Sequence, residues 1–401
     1  MKRVFIVAAK RTPIGSFNGA LSSLSAVELG VHAIKSTLEQ VELPVDQIDE
    51  VIVGNVLTGG TGMGPGRQAA IKAGIPDSVP AYTINMICGS GMKAIMEGAS
   101  HIRSGDAEAV LACGMESMSN AAYTSSGQIR RGYRMGHQSM EDTIIKDGLT
   151  DAFHNYHMGV TAENIAKKLN ITREEQDEFA LQSQKKATLA LQNGDFENEI
   201  APISIVGRRA TVEVHQDEYP KTDCTIEALQ KLRPAFDKEG TVTAGNASGI
   251  NDGASAILLV SESTVQRYNL TPLAELIEYG QGGVSPEVMG LGPIPAIANT
   301  LTKADIALSD IDVFELNEAF ASQAIGVIKG LTEQHGVDEN WLLERCNLSG
   351  GAIALGHPIG GSGNRIVTTL IHQLQRTQAT YGLASLCIGG GMGTAVLLKR
   401  C

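Results

Sequence analysis

The feature that most constrains the fold is a pattern that the chain carries twice. A Gly-Ser-Gly turn at 89–91 opens a helical pattern that runs into a buried strand ending at Cys113. A second Gly-Ser-Gly turn at 361–363 opens another helix, which runs into a strand ending at Cys387. The first glycine of the turn and the cysteine are 24 residues apart in the first copy (89 to 113) and 26 in the second (361 to 387). This near-equal spacing indicates a duplicated α/β unit.

The segments before each turn repeat in the same order. Residues 25–40 have a helical pattern and lead into an apolar strand that ends at Asn55. Residues 294–304 have a similar pattern and lead into a strand that ends at Asn317. The alternative is chance similarity between ordinary α/β segments. Matching order and matching turns favour duplication, so we predict an α/β protein made of two similar halves.

The composition changes between the two halves. We expect an inserted loop domain at 120–248, a first half at 1–119 that is completed by 249–272, and a second half at 273–401. Within the insertion, the sequence TREEQDEFALQSQKKATLALQN at 172–193 predicts one amphipathic helix. Its first residue, a threonine, is a suitable N-cap, with glutamate three positions later. A loop-rich insertion of this kind is more suited to binding than to core formation.

Charge and cysteine usage exclude several classes of protein. The net charge of −12 argues against a general nucleic-acid or membrane-surface binder. No segment approaches 18 uninterrupted apolar residues, so we expect no membrane span. The six cysteines show no CxxC pair, which favours reduced thiols and a cytoplasmic protein. His154 and His157 are near neighbours, but no further ligand completes a metal site, so none is expected.

Cys88 has the most suggestive position of the six cysteines. Met86 and Ile87 are interpreted as the end of a buried strand, and Met92 and Ile95 begin a helical repeat after it. The thiol is therefore expected at a strand-to-helix junction, where the free N–H groups of a helix N-terminus favour thiolate. A small buried core residue is the alternative, since free cysteine is usually that.

The second half offers partners for this thiol. His357 lies between Gly356 and Pro358, where the backbone can bring an imidazole close to a ligand. Cys387 precedes three glycines, whose N–H groups are expected to favour thiolate there and to face a developing oxyanion. Asn317 lies just past a strand end, where its amide can hold a water molecule. Taken together, two thiols, a histidine and an asparagine at strand ends or glycine turns predict an active site.

Several long sequence blocks make the chain resemble the thiolase family over essentially its full length. These blocks are NMICGSGMKA around Cys88, AGNASGINDGA at 244–254, MGLGPIPA at 289–296, NEAFA at 317–321, GGAIALGHPIGGSG at 350–363 and CIGGGMG at 387–393. The resemblance implies the thiolase fold, in which two βαβαβαββ halves form a five-layered αβαβα arrangement with a loop domain inserted in the first half. It also implies a homodimer or a homotetramer.

The resemblance implies a role for each catalytic candidate. Cys88 matches the nucleophile that takes an acyl group from acyl-CoA, and His357 matches the histidine that activates it and assists the departing CoA thiol. Cys387 matches the base that removes an α-proton from a second acyl-CoA. Asn317, through a water molecule, matches the enolate site together with the histidine. The N–H groups of Cys88 and Gly389 match a second oxyanion hole. No external cofactor is implied, because a thioester is already activated.

The sequence YHMG at 156–159 resembles the short-chain, acetoacetyl-CoA type of thiolase. In that type Met158, Met289 and Phe320 narrow the acyl pocket, although methionines also serve as core gap-fillers. The residues that match substrate or CoA contacts are His157, Met158, Lys221, Phe236, Ala244, Ala247, Ser248, Met289, Ala319 and Phe320. Lys221 and Ala228 depart from the arginine and serine often found there, and lysine can neither stack nor fork as arginine does.

Three other functions remain open from the sequence. Within the family, the alternative is a degradative 3-ketoacyl-CoA thiolase of broader chain length. Outside it, a ketoacyl-carrier-protein synthase uses one cysteine with two histidines, or with a histidine and an asparagine, and the second thiol, Cys387, argues against this class. A non-catalytic thiolase-like lipid-binding protein is expected to have lost a catalytic side chain, whereas all four are present here. The sequence therefore favours acetyl-CoA and CoA as the small-molecule partners.

Overall fold

The computed structural model describes residues 2–207 and 210–401. Most strands of this part of the chain belong to one large sheet, and four short ones form two separate hairpins. The strands are β1 (Val4–Arg11), β2 (Gly15–Ser16), β3 (Glu50–Gly54), β4 (Ala81–Ile84), β5 (Ala109–Ser117), β6 (Tyr123–Thr124), β7 (Glu141–Asp142), β8 (Ile203–Val206), β9 (Thr211–Val214), β10 (Asn251–Ser261), β11 (Ala274–Gly283), β12 (Val313–Leu316), β13 (Tyr381–Ile388) and β14 (Met392–Arg400).

Helices alternate with these strands in both halves. They are α1 (Ala26–Leu38), α2 (Pro65–Lys72), α3 (Ser90–Ser104), α4 (Met158–Leu169), α5 (Arg173–Asn193), α6 (Ile226–Gln230), α7 (Glu262–Tyr268), α8 (Pro293–Ala304), α9 (Ala321–His335), α10 (Glu339–Arg345), α11 (Ala352–Leu355) and α12 (Ile359–Thr377). Within the described residues, none of them is long and apolar enough to cross a membrane.

The large sheet contains two equivalent parts that meet edge to edge. Its strand order is β4-β3-β5-β10-β1 in the first half and β11-β14-β13-β12 in the second, with the short β2 paired to β10. In each half a helix leads into a strand that is parallel to one neighbour and antiparallel to the other: α3 into β5, and α12 into β13. Within the described residues, the strands of the two parts pair with each other through the antiparallel contact of Phe5 and Ile6 with Glu275 and Ala274.

Three hydrophobic clusters fill the spaces between the layers of helices and strands. One cluster packs α1 and α2 on one face of the first part of the sheet, and another packs α8 and α9 on the second part. The third cluster lies between the two parts and is built around α3 and α12. The order is therefore helix, sheet, helix, sheet, helix, which confirms the predicted five-layered αβαβα arrangement.

The duplicated Gly-Ser-Gly turns have a packing role at the centre of this arrangement. A Cβ added to Gly91 would lie 2.8 Å from the amide nitrogen of Asn364, and one added to Gly363 would lie 2.5 Å from that of Met92. Only glycine therefore lets α3 and α12 approach so closely. The two copies of the motif bring the two halves together.

Helix predictions agree with the structure better than strand ends do. The helix predicted at 172–193 is α5, and Thr172 and Glu175 form the expected capping box. The strand predicted to end at Cys113 continues to Ser117, because β10 pairs with its whole length. Ile87 does not end a strand, since β4 ends three residues earlier. Instead, the side chains of Asn85 and Ser90 accept hydrogen bonds from the amides of Ile87 and Met86, and these bonds hold residues 85–90 in a tight turn.

The inserted segment is anchored to β1 by buried ion pairs. Arg11 donates to Glu199 at 2.6 Å and to Asp217 at 2.7 and 2.9 Å, and all three side chains are buried. The Asp217 carboxylate also accepts a hydrogen bond from the amide of Ile14. These contacts fix the part of the insertion that leads to Tyr219, which lines a cavity between the two halves.

Candidate active site

A cavity of about 330 Å³ lies where the two halves and the inserted segment meet. Cys88 of the first half and His357 and Cys387 of the second half all line it. The other predicted residues that line it are Gly389, His157, Met158, Phe236, Ala244, Ala247, Ser248, Met289, Ala319 and Phe320. Of the predicted site residues, Asn317 and Lys221 are not part of this lining.

A tight turn before α3 positions Cys88. Ser90 Oγ accepts from the amide of Met86 at 2.8 Å and donates to the carbonyl of Ile87 at 2.6 Å. Asn85 accepts from the amide of Ile87 at 2.9 Å. Ile87 has a φ of 47°, in the left-handed region that β-branched residues rarely adopt. Side-chain hydrogen bonds on both sides therefore hold a strained residue immediately before the thiol.

The prediction that Cys88 has thiolate character is wrong for the free protein. Burial in the apolar cavity raises the pKa of its thiol to about 11, although the N–H groups of Gly389 and of Cys88 itself oppose this shift. Desolvation disfavours the charged form more strongly than two N–H donors favour it. A base is therefore needed to remove the proton before Cys88 can act as a nucleophile.

Cys387 lies near the end of β13 and is almost completely buried. It packs in an apolar cluster with Met158, Met289 and Phe320. This burial raises the pKa of Cys387 well above its usual range, and charge on the nearby Cys88 raises it further. The thiolate character expected from the neighbouring glycines is therefore wrong here as well, because the same desolvation dominates.

The backbone on both sides of His357 is fixed. The amide of His357 donates to Asn251 Oδ1 at 2.9 Å. Gly356 has a φ of 103°, and a Cβ there would lie 2.5 Å from the side chain of Asn251. Burial, with a contribution from Arg365, lowers the pKa of His357 to about 4. The imidazole is therefore neutral at physiological pH and able to accept a proton.

Asn317 lies behind His357, at the end of β12. Its Nδ2 is 3.5 Å from Nδ1 of His357, which is long for a hydrogen bond. Its Oδ1 and the Nε2 of His357 are both buried and have no hydrogen-bond partner among the described residues. Buried polar atoms are usually satisfied, so this pair is suited to a bound water molecule or a substrate oxygen.

Aromatic stacking forms one wall of the cavity. The ring of His157 stacks on Phe236 with centroids 4.5 Å apart, and Phe236 meets the edge of Phe320 at 6.2 Å. His157 Nδ1 accepts from the amide of Gly159, and burial lowers the pKa of this histidine. His157 is thus a neutral, flat surface rather than a cation. The amide of Ser248 donates to the carbonyl of Ala319 at 2.9 Å, which joins the insertion to the second half.

Lys221 lies outside this cavity. It lines a separate polar groove with Gln184, Lys185 and Thr188, and its backbone amide donates to Gln184. Ala228 lies in the first turn of α6, where its amide donates to Thr225. No group of three histidine, cysteine, aspartate or glutamate side chains that could hold a metal ion occurs in the described ranges.

Sequence reasoning missed about half of the cavity lining. The missed residues are Ile87, Met118, Gly148, Leu149, Tyr219, Ala235, Thr243, Gly249, Ile250 and Ile359. Most lie in loops without a periodic pattern, so no local signal marks them.

Comparison with known proteins places this geometry in one family. Residues 4–263 match the family described as thiolase, N-terminal domain, and residues 270–400 match thiolase, C-terminal domain. The chain is 51% identical over 400 residues to an acetyl-CoA acetyltransferase of Escherichia coli, which covers 100% of both chains. The crystal structure of the Bacillus anthracis acetyl-CoA acetyltransferase superposes with a TM-score of 0.95 at 44% identity, covering 100% of this chain and 99% of that one.

A solved structure of human mitochondrial 3-ketoacyl-CoA thiolase in complex with CoA is also similar. It superposes with a TM-score of 0.93 at 42% identity and covers 100% of this chain and 98% of that one.

Proposed function

This chain belongs to the thiolase family, and we propose that it is an acetyl-CoA acetyltransferase. In this proposal it joins two molecules of acetyl-CoA into acetoacetyl-CoA with release of CoA, and it also runs the reverse cleavage. The observation that carries the proposal is the cavity shared by Cys88, His357 and Cys387. The full-length relatives described as acetyl-CoA acetyltransferases support the same activity.

The first half-reaction acylates Cys88. His357 Nε2 takes the proton of the Cys88 thiol, and the thiolate attacks the carbonyl carbon of acetyl-CoA. The bond between that carbon and the CoA sulfur breaks, and the CoA thiolate leaves with the proton that His357 took from Cys88. The products are acetyl-Cys88, a neutral His357, a Cys387 thiol that keeps its proton, and neutral CoA. The raised pKa values of both cysteines support this order, because each thiol starts with its proton.

The second half-reaction forms the carbon–carbon bond. His357 Nε2 takes the proton of Cys387, and the Cys387 thiolate then removes an α-proton from a second acetyl-CoA. Nε2–H of the protonated His357, with an Asn317-bound water, stabilises the enolate oxygen. The enolate attacks the carbonyl of acetyl-Cys88, whose oxyanion faces the N–H groups of Cys88 and Gly389. The bond to Cys88 sulfur then breaks, and this sulfur recovers the proton from His357. Acylation also removes the charge on Cys88 that would raise the pKa of Cys387.

No external cofactor is part of this proposal, because the thioester supplies the activation. The short-chain preference is supported by side chains that pack together around Cys387. Met158, Met289 and Phe320 are all nearly buried and pack in one cluster with Cys387. A long acyl chain would have to displace them, and this would offset its hydrophobic gain.

Two observations weigh against the other classes. A carrier-protein synthase uses one cysteine with two histidines, or with a histidine and an asparagine, whereas this chain has a second, buried thiol at Cys387. A non-catalytic lipid-binding relative does not need the orphaned Nε2 of His357 and Oδ1 of Asn317 beside the cavity. The degradative thiolase stays the alternative within the family, and the CoA complex of the human enzyme gives it weight.

We also propose a homodimer or homotetramer in the cytoplasm. Strand β4 forms one edge of the large sheet, where a second copy can add a strand. The arm at 123–142 exposes Tyr123, Met135 and Met140, an apolar surface suited to a second contact between copies. The six free thiols support a reducing compartment. The proposed units are residues 1–119 with 249–272, the insertion at 120–248, and residues 273–401.

The test of this function is CoA-dependent cleavage of 3-ketoacyl-CoA substrates of increasing chain length. We expect a much higher kcat/KM for acetoacetyl-CoA than for 3-ketodecanoyl-CoA, because the hydrophobic effect alone would favour the longer chain by about 0.8 kcal/mol per methylene. Equal or better cleavage of the long substrate would support the degradative activity instead. Absence of cleavage with every acyl-CoA would exclude both.

A further inference from the structure

The two serines of the duplicated Gly-Ser-Gly turns have matching positions and matching contacts. Ser90 holds the turn before Cys88 through the amide of Met86 and the carbonyl of Ile87. Ser362, the middle residue of the second turn, lies 2.6 Å through its Oγ from Nδ1 of His357. Its hydroxyl also donates to the carbonyl of Pro358 at 2.9 Å. In each half, the serine therefore helps to position a catalytic residue, which is Cys88 in the first half and His357 in the second.

We propose that Ser362 is a positioning residue that fixes the tautomer of His357. Its Oγ accepts a hydrogen bond from Nδ1–H, while its own hydroxyl donates a hydrogen bond to the carbonyl of Pro358. This inference rests on the proposed function, since it concerns the base of that reaction. Nε2 must be unprotonated in the resting enzyme if it is to take the proton of Cys88. The hydrogen of the neutral imidazole must then be on Nδ1, and Nδ1–H needs an acceptor.

The contacts around Nδ1 leave one acceptor for it. The other polar atom nearby in the described part of the chain is Nδ2 of Asn317, which is a donor and lies 3.5 Å away. A donor facing Nδ1–H gives no hydrogen bond, and this distance is too long for a good one. Ser362 is 1% exposed, so water has little access to replace its hydroxyl.

The opposite nitrogen has the environment that the proposal requires. Nε2 is buried and has no hydrogen-bond partner among the described residues, while the imidazole lines the cavity that holds Cys88. Without Ser362, nothing in these contacts would prevent the hydrogen from moving to Nε2, where it would block proton transfer from Cys88. Ser362 would thus act on catalysis through His357 without touching the substrate.

The proposal assigns different outcomes to three variants. Ser362→Ala removes the acceptor, and we expect acylation of Cys88 by acetyl-CoA to slow by about 10- to 100-fold, less than the roughly 10²- to 10⁴-fold contribution of a general base itself. Ser362→Thr keeps a hydroxyl and should restore most of the rate. Ser255→Ala is the matched control, because Ser255 is also buried and contacts α12 through Thr368. Its rate should stay at the wild-type value.

The deciding measurement is the ¹⁵N NMR spectrum of the imidazole nitrogens of the resting protein at neutral pH, assigned with His357→Asn. We expect the Nδ1–H tautomer of His357 in the wild type and in Ser255→Ala, and its loss in Ser362→Ala. A wild-type His357 in the Nε2–H form would overturn the proposal, even if Ser362→Ala failed to fold. An unchanged tautomer and acylation rate in folded Ser362→Ala would also overturn it. This spectrum needs no substrate, so its result is separate from whether the chain condenses acetyl-CoA.

Discussion

Cys88 and Gly389 line the same cavity, and the N–H of Gly389 lowers the pKa of the Cys88 thiol against the opposing effect of burial. Cys88 belongs to the first half of the duplicated fold and Gly389 to the second, two residues past Cys387. The first half therefore supplies the nucleophile, and the glycines that follow β13 in the second half supply an N–H group that acts on it. The site therefore exists only where the two halves are docked through α3 and α12.

Removal of the base should make acylation strongly dependent on pH. With a pKa of about 11, only about one Cys88 thiol in 10⁴ is ionised at pH 7 without help. We expect His357→Asn to acylate about 10²- to 10⁴-fold more slowly than the wild type at pH 7. Its rate should rise about tenfold per pH unit, since the ionised fraction of Cys88 rises by the same factor. Stopped-time intact-mass measurements between pH 7 and 9 check this, and a flat profile for the variant would contradict it.

The same histidine should reduce stability in acid. The pKa of His357 is about 4 in the folded protein and near 6.5 when unfolded, so the unfolded chain binds more protons between these values. Stability is therefore lost as the pH falls through this window, by about 2 kcal/mol between pH 7 and pH 5. Urea unfolding at pH 7 and pH 5 should show that His357→Asn loses less unfolding free energy than the wild type, by about this amount. Equal losses would mean that His357 titrates normally in the folded protein.

Much of this site could be predicted from the sequence because its residues stand at repeated turns. Cys88, His357 and Cys387 each lie beside glycines in a duplicated pattern, and the structure brings all three to one cavity. Their ionisation could not be predicted, because it depends on desolvation by residues distant in sequence. Leu149 and Tyr219 were missed for a similar reason: long-range contacts of the insertion, such as Arg11 with Asp217, bring them to the cavity.

Widening the pocket should change the substrate range. The side chain of Met158 packs with Met289 and Phe320 around Cys387. In Met158→Ala, the freed space should let each added methylene raise kcat/KM by about fourfold until the space is filled, which corresponds to about 0.8 kcal/mol. The control is Met63→Ala, since Met63 is 95% exposed and lies outside both the cavity and the arm at 123–142. An unchanged ranking of 3-ketoacyl-CoA substrates in Met158→Ala would show that another residue limits chain length.

Anchoring of the insertion should depend on a buried arginine. Arg11→Met leaves the Glu199 and Asp217 carboxylates buried without their cation, so we expect a loss of about 3–5 kcal/mol in the free energy of unfolding. Arg3 also pairs with two carboxylates but is half exposed, and Arg3→Met should cost about 1 kcal/mol or less. Urea titration of both variants checks this. Equal losses would mean that burial adds nothing to the Arg11 pairs.

The division of work between the two thiols is the central claim, and intact-mass measurement after incubation with acetyl-CoA tests it most directly. Cys387→Ala should acquire one acetyl group on Cys88 yet form no acetoacetyl-CoA, whereas Cys88→Ala should acquire none. Peptide mapping of the acetylated variant locates the group. Failure of Cys387→Ala to become acetylated, or acetylation of Cys387 in Cys88→Ala, would contradict the assigned roles.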